Sequence, residues 1–260
     1  MMFWQVNSIL QGGIIVEERL IDVKGLTKIY GKDFKAVDNV SFYAEKGQVI
    51  GFAGDNGAGK TTVIKCITGI LQPTDGSISI CGNKVGNGVE AKKCIGYTAD
   101  NPDFMLRLTC REYLEFLADV YELDVQTRDK NIETLTKRFE IEDVLPNRLD
   151  SCSHGTRQKI MVAGALIHNP PVWILDEPMT GLDPQSAYKL KQMIKEHASK
   201  GNCVLFSTHV LDTAQELCDK VAIIRKGKIV CFDTVDNIKK KYGGTTLEES
   251  YLNIVGDTND

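Results

Sequence analysis

Apolar runs of strand length alternate with helical segments along much of the chain, and this pattern predicts an α/β fold. Residues 49–53 and 172–175 are continuous apolar runs, and residues 203–207 are apolar up to a final serine; all three predict strands buried on both faces of a parallel sheet. Residues 36–42 instead alternate apolar and polar side chains, as a half-buried strand does. Residues 109–150 lack glycine and repeat apolar side chains at helical spacing, so they predict a helical insertion.

A glycine-rich loop separates the apolar run at 49–53 from a helical segment predicted at 63–71. Its glycines allow backbone N–H groups to turn toward an anion, and the start of the helix adds partial positive charge. Its lysine suits the β- and γ-phosphates, and the next threonine offers a hydroxyl to Mg²⁺. The pattern predicts a P-loop nucleotide site; a glycine-rich turn before an ordinary helix is the alternative. The candidate nucleotide-binding residues are Gly54, Asp55, Asn56, Gly57, Ala58, Gly59, Lys60, Thr61 and Thr62.

Two acidic residues, Asp176 and Glu177, directly follow the apolar run at 172–175. The carboxyl end of a buried parallel strand presents its side chains at the edge of the sheet where ligands bind. Asp176 is therefore a candidate for the Mg²⁺ shell beside Thr61, and Glu177 for orienting or deprotonating an attacking water. A capped turn after a strand is the alternative interpretation.

Charge, cysteine spacing and the length of the apolar runs argue against nucleic-acid binding, a zinc site and a membrane-spanning helix. The 260 residues carry a net charge of −4, so no overall positive field favours nucleic acid as a partner. The 8 cysteines include no C-x-x-C pair, which indicates free thiols in a reducing cytosol rather than a zinc site. No apolar run approaches the roughly 18 residues that a membrane-spanning helix needs.

Residues 1–19 are interpreted as an N-terminal extension without the basic start and cleavage site of a signal peptide. One hypothesis is that the start is mis-assigned and that translation begins at Val16. The hypothesis rests on Gly12-Gly13: a ribosome-binding sequence that was mistakenly translated would give two glycines. N-terminal sequencing of native protein would decide between the two starts.

The ordered motifs resemble those of the ATP-binding subunits of ABC transporters, and the resemblance covers about residues 20–255. It implies that Tyr30 is the aromatic residue that stacks on adenine. It also implies that residues 54–62 are the Walker A motif, that Asp176 is the Walker B aspartate and that Glu177 is the catalytic glutamate.

The same resemblance extends to less distinctive residues. It implies that His209, after the apolar run at 203–207, is the switch histidine and that Lys60 takes part in catalysis. It places the D-loop at residues 180–183. Asp100 stands where the Q-loop glutamine is usual, and it keeps an oxygen ligand for Mg²⁺ but is shorter and adds negative charge.

Residues 151–159 are predicted to be a polar turn before a second helix at 160–168. The signature motif of the family, usually LSGGQ, falls on residues 152–156 of this turn, which read CSHGT. The resemblance implies that ATP lies between the P-loop of one subunit and this motif of a second, so that Ser153 and Gly155 bind the γ-phosphate in trans. His154 and Thr156 depart from the usual residues, and a side chain at 154 narrows the approach to phosphate. The implied partner is a second ATP-binding subunit, in a homodimer or a heterodimer.

The implied fold is α/β: a P-loop NTPase core with a mostly parallel sheet, a small antiparallel β subdomain and an inserted α-helical subdomain. The ATP-binding domain would cover residues 20–236, with the helical subdomain at about 101–155. Residues 237–260 are interpreted as a C-terminal tail whose basic run, 239–241, is predicted to be a solvated helix end.

The implied function is hydrolysis of ATP with Mg²⁺ to power export of an unidentified substrate through separate transmembrane permease subunits. The chain would lie in the cytoplasm, held at the inner face of the cell membrane by its permease. Residues 108–116 and 246–252 resemble those of bacterial exporter ATPases of the ABC-2-like type. Two alternatives stay open: a soluble ABC-type ATPase without a transport role, and a non-catalytic ATP-binding partner, against which Glu177 argues.

Overall fold

The computed structural model describes residues 18–101, 103 and 105–256. The strands are β1 (Arg19–Tyr30), β2 (Phe34–Glu45), β3 (Val49–Ala53), β4 (Asp75–Ile80), β5 (Asn83–Lys84), β6 (Ile95–Thr98), β7 (Val172–Leu175), β8 (Cys203–Thr208), β9 (Lys220–Arg225) and β10 (Lys228–Asp233). The helices are α1 (Lys60–Ile67), α2 (Glu90–Lys93), α3 (Cys110–Val120), α4 (Val125–Phe139), α5 (His154–Leu166), α6 (Pro184–Ser199), α7 (Leu211–Leu217), α8 (Val235–Tyr242) and α9 (Leu247–Gly256).

A six-stranded sheet with the order β10-β9-β3-β8-β7-β6 forms the centre of the protein. Its neighbouring strands are parallel except in the β9–β10 hairpin. A second, antiparallel sheet has the order β2-β1-β4-β5. The predicted combination of a mostly parallel sheet with a small antiparallel one is therefore confirmed.

Side-chain alternation along the central strands divides the core into two layers. In β7, Val172 and Ile174 pack with α1 and the antiparallel sheet. Trp173 and Leu175 pack on the opposite face with α3, α4, α5 and α6. Successive residues of a strand point to opposite faces, so an unbroken apolar run is what a strand covered on both sides needs.

The helical region between β6 and β7 begins its helices with polar caps. Thr109 and Glu112 form a capping box at the start of α3, and Asp124 accepts a hydrogen bond from the backbone N–H of Thr127 at the start of α4. Residues 106–111 and 145–150 run side by side, joined by backbone hydrogen bonds. Across the part of the chain that the structure describes, no helix is both long and apolar enough to cross a membrane.

The C-terminal residues are part of the core. α8 begins at Val235, so the predicted boundary between 236 and 237 falls inside a helix. Ile238, Tyr251 and Ile254 of α8 and α9 are buried against Val221 and other apolar residues of β9. The basic run at 239–241 occupies the last turn of α8, the position that suits positive charge.

Two helix starts differ from the predictions. α1 begins at Lys60 rather than at 63, and α5 begins at His154 rather than at 160. The prediction of a polar turn at 151–159 was wrong because the Ser153 side chain caps the helix directly, so the following polar residues are already helical. Most of the proposed N-terminal extension, residues 1–17, lies outside the described residues.

Candidate nucleotide-binding site

The loop between β3 and α1 is held closely by other parts of the fold. A Cβ atom on Gly54 would lie 2.3 Å from the carbonyl oxygen of Ile224, and one on Gly59 would lie 2.7 Å from that of Ala36. Gly59 also has a φ of 110°, a left-handed conformation that glycine adopts without strain. The end of β9 and the start of β2 therefore fix the loop, and backbone contact requires glycine at positions 54 and 59.

Lys60 is the first residue of α1 and is buried, with 6% of its side chain exposed. Its Nζ donates hydrogen bonds to the carbonyl oxygens of Gly54 at 2.6 Å and Asp55 at 3.2 Å. The Glu177 carboxylate lies 3.3 Å from the same Nζ. A buried ammonium group at a helix N-terminus is an anion-binding centre.

Ser207, near the carboxyl end of β8, connects the two acidic residues that follow β7. Its hydroxyl donates to Asp176 Oδ1 at 2.5 Å and accepts from the backbone N–H of Glu177 at 2.9 Å. β3, β8 and β7 are adjacent and parallel, so their carboxyl ends meet beside the loop. The sequence reasoning missed the role of Ser207, whose only signal was its place at the end of a buried strand.

His209 follows β8 and contacts the second acidic residue. Its Nδ1 lies 2.9 Å from Glu177 Oε2. The histidine side chain is 51% exposed whereas that of Glu177 is 18% exposed, so Glu177 is the more buried member of the pair. Glu177 thus sits between Lys60 and His209, and its φ of 47° is a conformation that a non-glycine residue adopts only under constraint.

Asp176 has the environment of a cation ligand. It is fully buried, and among the described residues its Oδ2 atom has no hydrogen-bond partner. Burial raises the pKa of Asp176, and the neighbouring hydroxyl groups of Ser207 and Thr61 oppose that rise. A buried carboxylate oxygen without a donor, beside a threonine hydroxyl, fits a hard divalent cation such as Mg²⁺.

Asp100 lies at the same edge of the sheet, just after β6. Its Oδ1 accepts a hydrogen bond from the backbone N–H of Asn101 at 2.9 Å. Its negative charge contributes to the raised pKa of Asp176. The structure therefore places Asp100 near the cluster, with one oxygen engaged in a turn.

Tyr30 is the last residue of β1 and is 39% exposed. Its ring centroid lies 6.5 Å from that of Phe34, at the start of β2. Two residues further along β2, the carbonyl group of Ala36 touches the Gly59 position of the loop. Lys28 Nζ lies over the Tyr30 ring, 5.5 Å from its centroid. Tyr30 therefore lies, partly exposed, in the hairpin that borders the loop.

Residues 153–156 lie at the start of α5, apart from this cluster. The Ser153 hydroxyl accepts from the backbone N–H of Thr156 at 3.2 Å. A Cβ atom on Gly155 would lie 3.0 Å from the carbonyl oxygen of Gly181, and the His154 ring fills the space beside Gly181. Within residues 18–101, 103 and 105–256, no hydrogen bond or ion pair joins this segment to the P-loop.

A C-terminal residue that the sequence reasoning did not connect with the site also reaches the loop. Tyr251 of α9 is 8% exposed and lies close to Asp55. Burial and the neighbouring Asp55 raise the pKa of Tyr251 to about 12. α9 therefore borders the outer side of the P-loop.

Comparison with known proteins gives consistent matches. A family model described as "ABC transporter" matches residues 37–180. NatA, an ABC transporter ATP-binding protein of Bacillus subtilis (strain 168), is 37% identical over 201 residues, which are 76% of this chain and 82% of NatA. YbhF of Escherichia coli (strain K12), a probable multidrug ABC transporter ATP-binding protein, is 31% identical over 247 residues, which are 92% of this chain. The chain spans only 42% of the length of YbhF.

A solved structure described as the "ATP binding subunit of ABC transporter" is also similar. It has a TM-score of 0.86 and 33% identity, and the alignment covers 91% of this chain and 99% of that one. The fold and the loop define a P-loop nucleotide-binding protein of the α/β class. The chain belongs to the ABC transporter family of ATPases, among its ATP-binding proteins.

Proposed function

We propose that the chain hydrolyses MgATP with Glu177 as the catalytic carboxylate. The observation that carries this proposal is the set of contacts around Glu177: Lys60 Nζ at 3.3 Å, His209 Nδ1 at 2.9 Å and the Ser207 hydroxyl at 2.9 Å from its backbone nitrogen. A carboxylate oriented in this way can orient or deprotonate a water that attacks the γ-phosphate. His209 holds Glu177 in position and is exposed enough to contact the γ-phosphate.

The remaining residues of the cluster bind and orient the nucleotide. Lys60 and the N–H groups of the loop bind the phosphates, and Tyr30 stacks on adenine. Thr61 and Asp176 would hold Mg²⁺, which would supply positive charge to the phosphate oxygens. Asp100 contributes to the cation's surroundings through its charge, since one of its oxygens is already hydrogen-bonded.

We further propose that a second ATP-binding subunit completes the site. Ser153 and Gly155 would bind the γ-phosphate of the partner's nucleotide with the start of α5. The support is that Ser153 and His154 are exposed and that Gly155 lies against Gly181 of its own chain. Arg157 and Lys159 lie in the first turns of α5, where they pair with Asp103 and Asp183. ATP would then hold two subunits together, and hydrolysis would release them.

Transport is the third part of the proposal. The chain would act with separate transmembrane permease subunits, which hold it at the inner face of the membrane and export a substrate. The names of NatA and YbhF, both ABC transporter ATP-binding proteins, support a transport role. Co-purification from native membranes tests it: a polytopic membrane protein should accompany the chain, and association with ribosomes or DNA repair proteins instead would favour the soluble alternative.

The catalytic part of the proposal is tested with Glu177→Gln. This change keeps the size and most contacts of the side chain but removes its charge, so ATP binding should persist while turnover falls by about a hundredfold or more, equal to about 3 kcal/mol of barrier. The measurements are nucleotide affinity and steady-state phosphate release. The matched control is Glu196→Gln, which removes a surface ion pair with Arg138 and Lys200. Equal turnover in both variants and the original protein would show that Glu177 is not the catalytic residue.

A further inference from the structure

A pair of thiols lies directly beside the proposed trans-acting segment. The Sγ atoms of Cys110 and Cys152 are 3.7 Å apart. Cys110 is the first residue of α3 and is fully buried, whereas Cys152 is partly exposed and immediately precedes Ser153. One thiol is therefore within reach of small reagents, and the other is reached through it.

The backbone holds the two cysteines in this arrangement. The N–H of Cys110 donates to the carbonyl oxygen of Asn147 at 2.9 Å, and Thr109 forms a β-bridge with Arg148. The Cys152 thiol in turn donates to the carbonyl oxygen of Arg148 at 3.4 Å. A disulfide bond needs an S–S distance of about 2.0 Å, so the two sulfur atoms must approach by about 1.7 Å.

We propose that Cys110 and Cys152 are a redox modification site. They form a reversible disulfide, which restrains the start of α5 and slows ATP turnover. The oxidant is a low-molecular-weight disulfide of the glutathione class. The Cys152 thiolate attacks one of its sulfur atoms, forms a mixed disulfide and releases the first small thiol. Cys110 then attacks Cys152 Sγ and displaces the second. Two electrons pass from the cysteine pair to the reagent, and the two cysteine protons end on the released thiols.

The environments of the two thiols fit these different roles. Burial and the neighbouring Cys152 raise the pKa of Cys110 to about 12, so Cys110 is a poor initial nucleophile. It can still resolve the mixed disulfide, because Cys110 lies next to Cys152 Sγ and this intramolecular proximity offsets its small thiolate fraction; its proton passes to the released thiol. Cys152 must leave its hydrogen bond to Arg148 to form the bond.

The consequence for α5 rests on the proposed function, whereas the disulfide itself does not. Cys152 is adjacent to Ser153, the residue that caps α5. The disulfide would link this cap covalently to the start of α3. The start of α5 could then move less when it binds a partner's γ-phosphate. ATP turnover should therefore fall several-fold on oxidation and recover with a dithiol reductant.

The test begins with the reduced full-length protein, treated with glutathione disulfide, alkylated and digested without reductant. The expected product is a peptide pair linked through Cys110 and Cys152 that separates on reduction. Cys152→Ala should abolish the link and the loss of turnover, each variant being compared with its own reduced form. Cys110→Ala should leave glutathione attached to Cys152. If it fails to fold, Cys152→Ala still decides the point.

A second cysteine pair provides the matched control. Cys81 and Cys94 also lie next to each other, but beside β4 and α2. The double variant Cys81→Ser, Cys94→Ser should keep both the link and the oxidant sensitivity. A stable mixed disulfide at Cys152 of the original protein, without the link, would overturn the proposal. Equal ATP turnover of the linked and reduced forms would overturn the proposed effect of the disulfide on α5. An absence of ATP turnover in the reduced form would instead count against the proposed function.

Discussion

The P-loop and the start of α5 both offer a helix N-terminus to phosphate, yet they are built differently. At α1 the capping position is Gly59, whose lack of a side chain leaves the first N–H groups free to turn toward a ligand. At α5 the Ser153 hydroxyl already accepts from one of these groups. Lys60 is buried and fixed by the loop, whereas residues 153–154 are exposed. The first region is held in place by contacts within the chain, whereas the second is an exposed helix start whose phosphate role is the part of our proposal that requires a partner.

The largest expected effect comes from the packing of the P-loop. Gly54→Ala places a Cβ atom 2.3 Å from the carbonyl oxygen of Ile224, so the loop must shift, and ATP affinity should fall by about a hundredfold or more, equal to about 3 kcal/mol. The control is Gly57→Ala, where a Cβ atom meets nothing within 4 Å and only the positive φ adds strain. Equilibrium nucleotide titration measures both. Equal affinities in the two variants would mean that close packing does not hold the loop.

The second test asks whether the two regions complete each other across subunits. In a homodimer, Lys60→Ala and Ser153→Ala should each lower turnover by about tenfold or more, since each damages both sites. An equal mixture should recover to about one quarter of the original activity, because half the dimers are mixed and each of these has one intact site. Turnover is measured before and after mixing. Mixed dimers without recovery would contradict a site shared between subunits.

The third test concerns the part of the protein away from the phosphates. Burial lowers the pKa of His168, just past the end of α5, to about 4, and that of His197 in α6 likewise to about 4. Below pH 6.5 the unfolded chain takes up protons on these histidines, whereas the folded chain keeps their rings neutral. As the pH falls from 6.5 to 4, each histidine should therefore lower the free energy of unfolding by about 1.4 kcal/mol per pH unit. Above pH 6.5 this contribution should be constant.

Denaturant unfolding at several pH values measures this slope. His168→Phe keeps a flat ring against Tyr121, whose ring stacks on His168 at 3.5 Å, and should remove about half of the contribution of the two histidines to the slope. An unchanged slope in this variant would mean that His168 is already protonated in the folded protein.

The smallest expected effect separates capping from phosphate binding at Ser153. Ser153→Ala should lower the free energy of unfolding by about 1 kcal/mol, because α5 loses its cap. Ser153→Asp restores a cap and should keep stability near that of the original protein, but its negative charge should oppose a partner's phosphate. Thermal unfolding and ATP-dependent dimer formation are measured on both. If Ser153→Asp dimerises with ATP as well as the original protein, Ser153 does not face phosphate.

The sequence predicts the local parts of the site well and their mutual arrangement less well. The strand before the P-loop and the acidic pair after β7 follow from apolar runs that end in polar residues, whereas the role of His209 was implied only by the family resemblance. Ser207 was missed because its hydrogen bonds run to residues 30 and 31 positions away in the chain. The early start of α5 was missed because a histidine and a glycine are weak helix formers, and the Ser153 cap outweighs them.

The contact between α9 and the P-loop bears on how the protein can be handled. A shortened version that stopped at residue 236 would remove Ile238, Tyr251 and Ile254 and leave an apolar strip of β9 facing water. It would also remove the aromatic side chain that lies beside Asp55. The smallest unit suited to purification and crystallisation therefore extends through Gly256, and a fusion partner is better separated from that end by a flexible spacer.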